Sequence, residues 1–95
     1  MLLLQKYKIS GHSMEPILKD NDTILVSGLM YLFKKPKIND IVAFVYKDKV
    51  LVKRIVRKTN GKYFLAGDNS KDSLDSREFG FVFKNRILGK VIYKL

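Results

Sequence analysis

Ile41-Val42-Ala43-Phe44-Val45-Tyr46-Lys47-Asp48-Lys49-Val50-Leu51-Val52-Lys53-Arg54-Ile55-Val56-Arg57 has the pattern of a β-hairpin at the centre of a small sheet. Ile41 to Tyr46 is a short, unbroken apolar run rich in β-branched and aromatic residues. Such a run reads as a strand buried on both faces. Lys47-Asp48-Lys49 is the polar tip of a hairpin. Val50 to Arg57 is the returning strand, and it carries two cations in its middle. Residues two apart in a strand share a face, so Lys53 lies with Leu51 and Ile55, while Arg54 lies with Val52 and Val56. At least one of the two cations must therefore sit against apolar neighbours.

Downstream, Thr59-Asn60-Gly61 is a second hairpin turn and Lys62 to Ala66 returns from it. Gly67 to Gly80 is a long polar loop, and Arg86 to Tyr93 reads as a last strand. Upstream, Ile38-Asn39-Asp40 is a turn and Thr23-Ile24-Leu25-Val26 a strand. Tyr7-Lys8-Ile9 is a short strand, and Pro16 can start a brief helical turn through Leu18. No segment sustains a 3.6-residue period, and there is no repeat or linker. The expected fold is mostly β: a single domain over residues 1–95, built as a small coiled or closed antiparallel sheet.

The totals agree with one small core. A chain of 95 residues buries roughly 60–65% of its unfolded surface. Cysteine is absent, which excludes disulfides and thiolate chemistry, and His12 is the single histidine, which excludes a multi-histidine zinc site. No metal and no cofactor is called for. The net charge of +10 favours anionic partners. Its basic residues are scattered, without an arginine-rich arm, and this disfavours nucleic acid. Leu29-Met30-Tyr31-Leu32-Phe33, followed by Lys34, Lys35 and Lys37, is an unusual loop. Either it folds back onto the core, or its apolar tip enters a membrane interface while the lysines meet anionic lipid. No run reaches the length of a membrane span. These features leave a membrane periphery and the cytoplasm both open as locations, and a non-catalytic basic module for a membrane surface or nucleic acid remains an alternative function.

The chemistry gathers at Ile9-Ser10-Gly11-His12-Ser13-Met14-Glu15-Pro16-Ile17-Leu18. Ser13 stands in a Gly/Pro-punctuated turn after a short strand, where a hydroxyl is open to a substrate. Serine beside glycine is also ordinary turn chemistry. Lys53 either snorkels to water or is desolvated. Burial disfavours the ammonium, and an amine kept neutral near pH 8 can act as a general base at a cost of roughly 2.7 kcal/mol. In the polar loop, Asp75 and Arg77 can pair and Ser73 can present a hydroxyl to an amine.

Four stretches in order resemble the sequence boxes of type I signal peptidases: Ser13-Met14-Glu15-Pro16, Asn39-Asp40-Ile41-Val42, Val52-Lys53-Arg54-Ile55-Val56, and Gly67-Asp68-Asn69 with Ser73, Asp75-Ser76-Arg77 and Phe79-Gly80. The resemblance runs from Tyr7 to Tyr93. It implies the catalytic-core β fold of that family and a serine endopeptidase with a Ser/Lys dyad, removing a signal peptide or propeptide after small residues. Ser13 matches the nucleophile and Lys53 the general base. Ser73 matches the serine that hydrogen-bonds the lysine, and Asp75 and Arg77 match a supporting pair. Ile9, Met14, Leu18 and Val52 match positions lining shallow apolar pockets for an extended segment of a precursor protein. Some members carry a serine two residues before the nucleophile, where this chain has Gly11, and His12 is expected to be a bystander. Only twelve residues precede Ser13, so the usual membrane anchor is not expected here. The size is closer to compact members resembling nickel superoxide dismutase maturation proteases.

Overall fold

A computed structural model describes residues 4–69 and 80–95. Seven strands make up its sheet: β1 (Leu4–Lys8), β2 (Thr23–Ser27), β3 (Ile41–Tyr46), β4 (Lys49–Thr59), β5 (Lys62–Ala66), β6 (Val82–Phe83) and β7 (Ile87–Lys94). Their spatial order is β1-β2-β7-β3-β4-β5-β6, and every neighbouring pair is antiparallel. The expected mostly-β antiparallel architecture is therefore the one found. Among the described residues the end strands β1 and β6 do not pair, so the sheet is open.

The sheet is locally irregular. The registers slip at Leu25/Val26, at Ala43/Phe44 and between Ile55 and Arg57. Each irregularity bends its strand and adds twist. β3 lies in the middle and is covered on both sides: Val42, Ala43 and Phe44 have no exposed surface. Val42 and Phe44 join Tyr31, Ile55, Tyr63, Leu65 and Val82 in one apolar cluster. Ala43 faces a second, made with Ile9, Met14, Leu18, Ile24 and Val26. The apolar run with which the sequence reading began is thus the partition between two cores.

The Leu29–Phe33 segment is not an extended loop. Met30–Phe33 forms a short helix, α1, between β2 and β3. This splits the expected membrane-facing set. Tyr31 is buried, and its hydroxyl donates to Asp40 Oδ2 at 2.7 Å; it is a core residue with a polar tip. Met30 packs partly against the first cluster. Leu29, Leu32 and Phe33 remain exposed, Phe33 by 82%. β6 was not expected, because two residues carry no readable alternation.

The Tyr31–Asp40 contact has a pH signature. Burial, reinforced by the hydrogen bond to Asp40, pushes the Tyr31 hydroxyl pKa well above its ordinary value. For Asp40, burial acts upward, but the Tyr31 hydroxyl, the Lys37 N–H and Lys90 outweigh it and hold the carboxyl below its usual range. Asp40 therefore contributes stability above about pH 4 that is lost as the pH falls through its folded value. Tyr31 contributes stability below about pH 10 that is lost as the pH rises. Urea midpoints measured across pH should form a plateau between these limits. Tyr31→Phe should lower the plateau by about 1 kcal/mol and soften the alkaline fall. An unchanged alkaline fall in that variant would contradict the assignment.

Candidate active site

The turn after β1 is built by short-range hydrogen bonds. Ile9 N–H donates to the Asp22 carbonyl at 2.7 Å, and Asn21 N–H to the Ile9 carbonyl at 2.8 Å. Gly11 has φ +94° and its N–H donates to Asp20 Oδ1 at 2.7 Å. A positive φ of this kind suits glycine and reverses the chain just before Ser13. Glu15 N–H then reaches the His12 carbonyl, and Leu18 N–H the Met14 carbonyl. This is a run of turns where a brief helix was expected. His12 points to Glu15, with its Nδ1 at 2.6 Å from Oε2.

β4 supplies the other half. Lys53 is opposite Val42 in the ladder and shares its strand face with Leu51 and Ile55, as the alternation predicted. The snorkelling alternative does not hold, since Lys53 is only 4% exposed. Its Nζ donates to Ser13 Oγ at 2.8 Å, across 40 residues of chain. Ser13 is followed by Met14 of the second cluster, whereas Lys53 borders the first, so the contact lies at the seam between the two cores.

Arg54 has the opposite parity and turns to an acid. Its Nε and Nη2 donate to Asp68 Oδ1 and Oδ2 at 2.8 and 2.9 Å, and its Nη1 to the Asn39 carbonyl at 3.0 Å. This bidentate pair keeps the guanidinium charged. Next to Asp68, Asn69 N–H donates to the Ser13 carbonyl at 2.8 Å, and Asn69 Nδ2 to the His12 carbonyl at 3.2 Å. A continuous chain thus runs from Arg54 through Asp68 and Asn69 to the backbone of Ser13. The sequence alone assigns no role to the side chains of Asp68 and Asn69. The readable signal was parity: an arginine next to a buried lysine must face the other way and needs a carboxylate.

The two halves enclose a groove of about 460 Å³ lined by Tyr7, Lys8, Ile9, Ser10, Ser13 and Met14 on one side and Lys49 to Lys53 on the other. Ile9, Met14 and Val52 are among the lining residues. Leu18, expected beside them, is packed in the second cluster below and is absent from the lining. Ser73, Asp75 and Arg77 lie outside the described residues. Both walls offer strand edges. Among the described residues β1 pairs only with β2, and β5 pairs with β4 only from Arg54 onward, so Lys49–Val52 have β3 as their one strand neighbour there. Unpaired edges facing a groove can accept an extended chain by backbone hydrogen bonding.

Comparison with known proteins agrees with this architecture. The sequence profile of the Peptidase S24-like family matches residues 6–92. The chain belongs to this Peptidase S24-like family. It is 46% identical over 54 residues to a signal peptidase I of Buchnera aphidicola subsp. Schizaphis graminum, an alignment covering 57% of this chain and 16% of that protein. Signal peptidase I V of Bacillus subtilis is 26% identical, with 90% of this chain and 82% of that protein covered. Signal peptidase I of Bacillus caldolyticus is 31% identical, with 92% and 50% covered. The chain thus spans about half of the last relative's length and under a fifth of the first's. The resemblance read from the four boxes is borne out by these relatives.

Proposed function

We propose that this chain is a serine endopeptidase in which Ser13 is the nucleophile and Lys53 the general base. The observation that carries the reading is the 2.8 Å contact between Lys53 Nζ and Ser13 Oγ, with the lysine 4% exposed at the end of an open groove. Burial disfavours the ammonium, so the amine is available to take a proton. An extended precursor segment lies between the free edges of β1 and β4, with small side chains at the first and third positions before the cut against Ile9, Met14 and Val52. Ser13 Oγ bonds to the scissile carbonyl carbon while its proton passes to Lys53 Nζ. The Ser13 N–H stabilises the oxyanion. Gly11 offers no hydroxyl to help it. The resulting ammonium protonates the leaving amine as the C–N bond breaks, giving an ester on Ser13. Lys53 then deprotonates a water that hydrolyses this ester, and the serine regains its proton. Asn69 positions the nucleophile's backbone, and the Arg54–Asp68 pair positions Asn69.

The test is cleavage of a peptide with alanine at the first and third positions before the cut, using wild type, Ser13→Ala and Lys53→Ala. Product from the wild type alone supports the reading; equal product from all three overturns it.

The same reading includes a peripheral membrane contact at α1. Leu29, Leu32 and Phe33 are exposed beside Lys34, Lys35 and Lys37. Among the described residues no helix is long and apolar enough to cross a membrane. Leu32→Ser combined with Phe33→Ser should weaken binding to anionic vesicles about tenfold or more, since each buried side chain contributes about 1.5–3 kcal/mol. Undiminished co-sedimentation of the double variant would remove α1 as the contact.

A further inference from the structure

The groove is charged on one side of the scale only. Besides Lys53, its ionisable lining residues are Lys8 on the β1 wall and Lys49 on the β4 wall, with the Tyr7 phenol beside Lys8; no carboxylate lines it among the described residues. Both lysines are exposed. The carboxylates of the neighbouring turn are already engaged. Asp20 accepts the Gly11 N–H, Asp22 accepts the Lys19 N–H and faces Lys94, and Glu15 is with His12. Among the described residues, no carboxylate lining the groove neutralises Lys8 or Lys49.

Strand direction says where along a peptide that charge falls. Through the order β1-β2-β7-β3-β4 with every neighbour antiparallel, β1 and β4 run the same way. Both lead toward Ser13 and Lys53. Lys49 stands four positions before Lys53, which is about 13 Å of extended chain at ~3.3 Å per residue. Resting on the peptidase reading above, which puts the residues before the cut in this groove, we propose that the chain selects precursor segments with an acidic side chain about four residues before the scissile bond, read by Lys49 with Lys8 across the groove. This adds a charge requirement, at a defined distance, to the preference for small side chains next to the cut.

The test must separate a reader at one position from general attraction by a chain of net charge +10. Binding of fluorescent extended peptides to the non-cleaving Ser13→Ala variant does so. Three peptides share alanine at the first and third positions: one with Glu at the fourth, one with Lys there, and one with the same Glu moved eight residues from the cut. The first should bind roughly three- to tenfold tighter than the other two, the range expected of one or two exposed ion pairs. Its advantage should shrink as salt rises, because screening at 0.1 M acts over about 10 Å. Lys49→Glu should reverse the order of the Glu and Lys peptides. Equal binding of all three, or an unreversed order in Lys49→Glu, overturns the proposal and leaves the peptidase reading standing. Binding of none overturns both.

Discussion

If Lys53 is the base proposed above, Lys53→Met should lower kcat/KM for peptide cleavage on the order of 10³-fold while leaving the protein folded. Methionine nearly matches the lysine stem in length and is at home in an apolar setting. The amine contributes proton transfer, an effect of about 10²–10⁴-fold, and without it the serine hydroxyl is a weak nucleophile. Stability moves the other way or hardly at all. An amine that is 4% exposed is held at the cost of its lost hydration, and an apolar replacement removes that cost. Against this, Ser13 Oγ loses the partner it has at 2.8 Å, worth about 1 kcal/mol. The net change in unfolding free energy should stay within about 1–2 kcal/mol of zero. Paired cleavage kinetics and urea titrations measure both quantities. A variant that cleaves normally ends the base assignment. One that unfolds makes Lys53 a structural residue.

Gly89→Ala should be strongly destabilising. Gly89 lies in β7 opposite Ala43, where β7 passes the end of β2. A Cβ built there would lie 2.6 Å from the Ser27 carbonyl carbon and oxygen and 2.7 Å from Gly28 N. These are backbone atoms of a paired strand and cannot swing aside. The strand must move or the ladder must open, at a cost of about 3 kcal/mol or more. For a domain this small that corresponds to a fall in Tm of roughly 12–24 °C. Gly61→Ala is the control: nothing lies within 4 Å of its Cβ, although its φ of +77° is unfavourable for alanine. A Gly89→Ala protein melting within a few degrees of wild type would mean that β2 and β7 are not packed as described.

Much of the sheet could be read locally. The central hairpin, the Asn60-Gly61 turn and the bounds of β5 follow from apolar runs and turn residues, because those signals act over a few neighbours. α1 could not be, since four residues are too few to display a helical period, and its Leu29 N-cap makes no side-chain hydrogen bond. The burial of Tyr31 depends on an acid nine positions later, at Asp40. The register slips at Leu25/Val26, Ala43/Phe44 and Ile55/Arg57 are not marked by composition. The site divides in the same way. Strand parity placed Lys53 against apolar neighbours, but only the resemblance joined it to a serine 40 positions away. The Arg54–Asp68–Asn69 chain required knowing that the Gly67–Asn69 segment returns to the Ser13 turn, and that is a property of the assembled sheet.

On the proposed mechanism Ser13 attacks a carbonyl presented in the groove. A peptide aldehyde with alanine as its first and third residues from the carbonyl end, carrying ¹³C at the aldehyde carbon, puts that claim to the test by NMR. Wild type at saturating peptide should show a hemiacetal carbon that is absent with Ser13→Ala. Spectra containing only free aldehyde and its hydrate, or an identical adduct with Ser13→Ala, would contradict it.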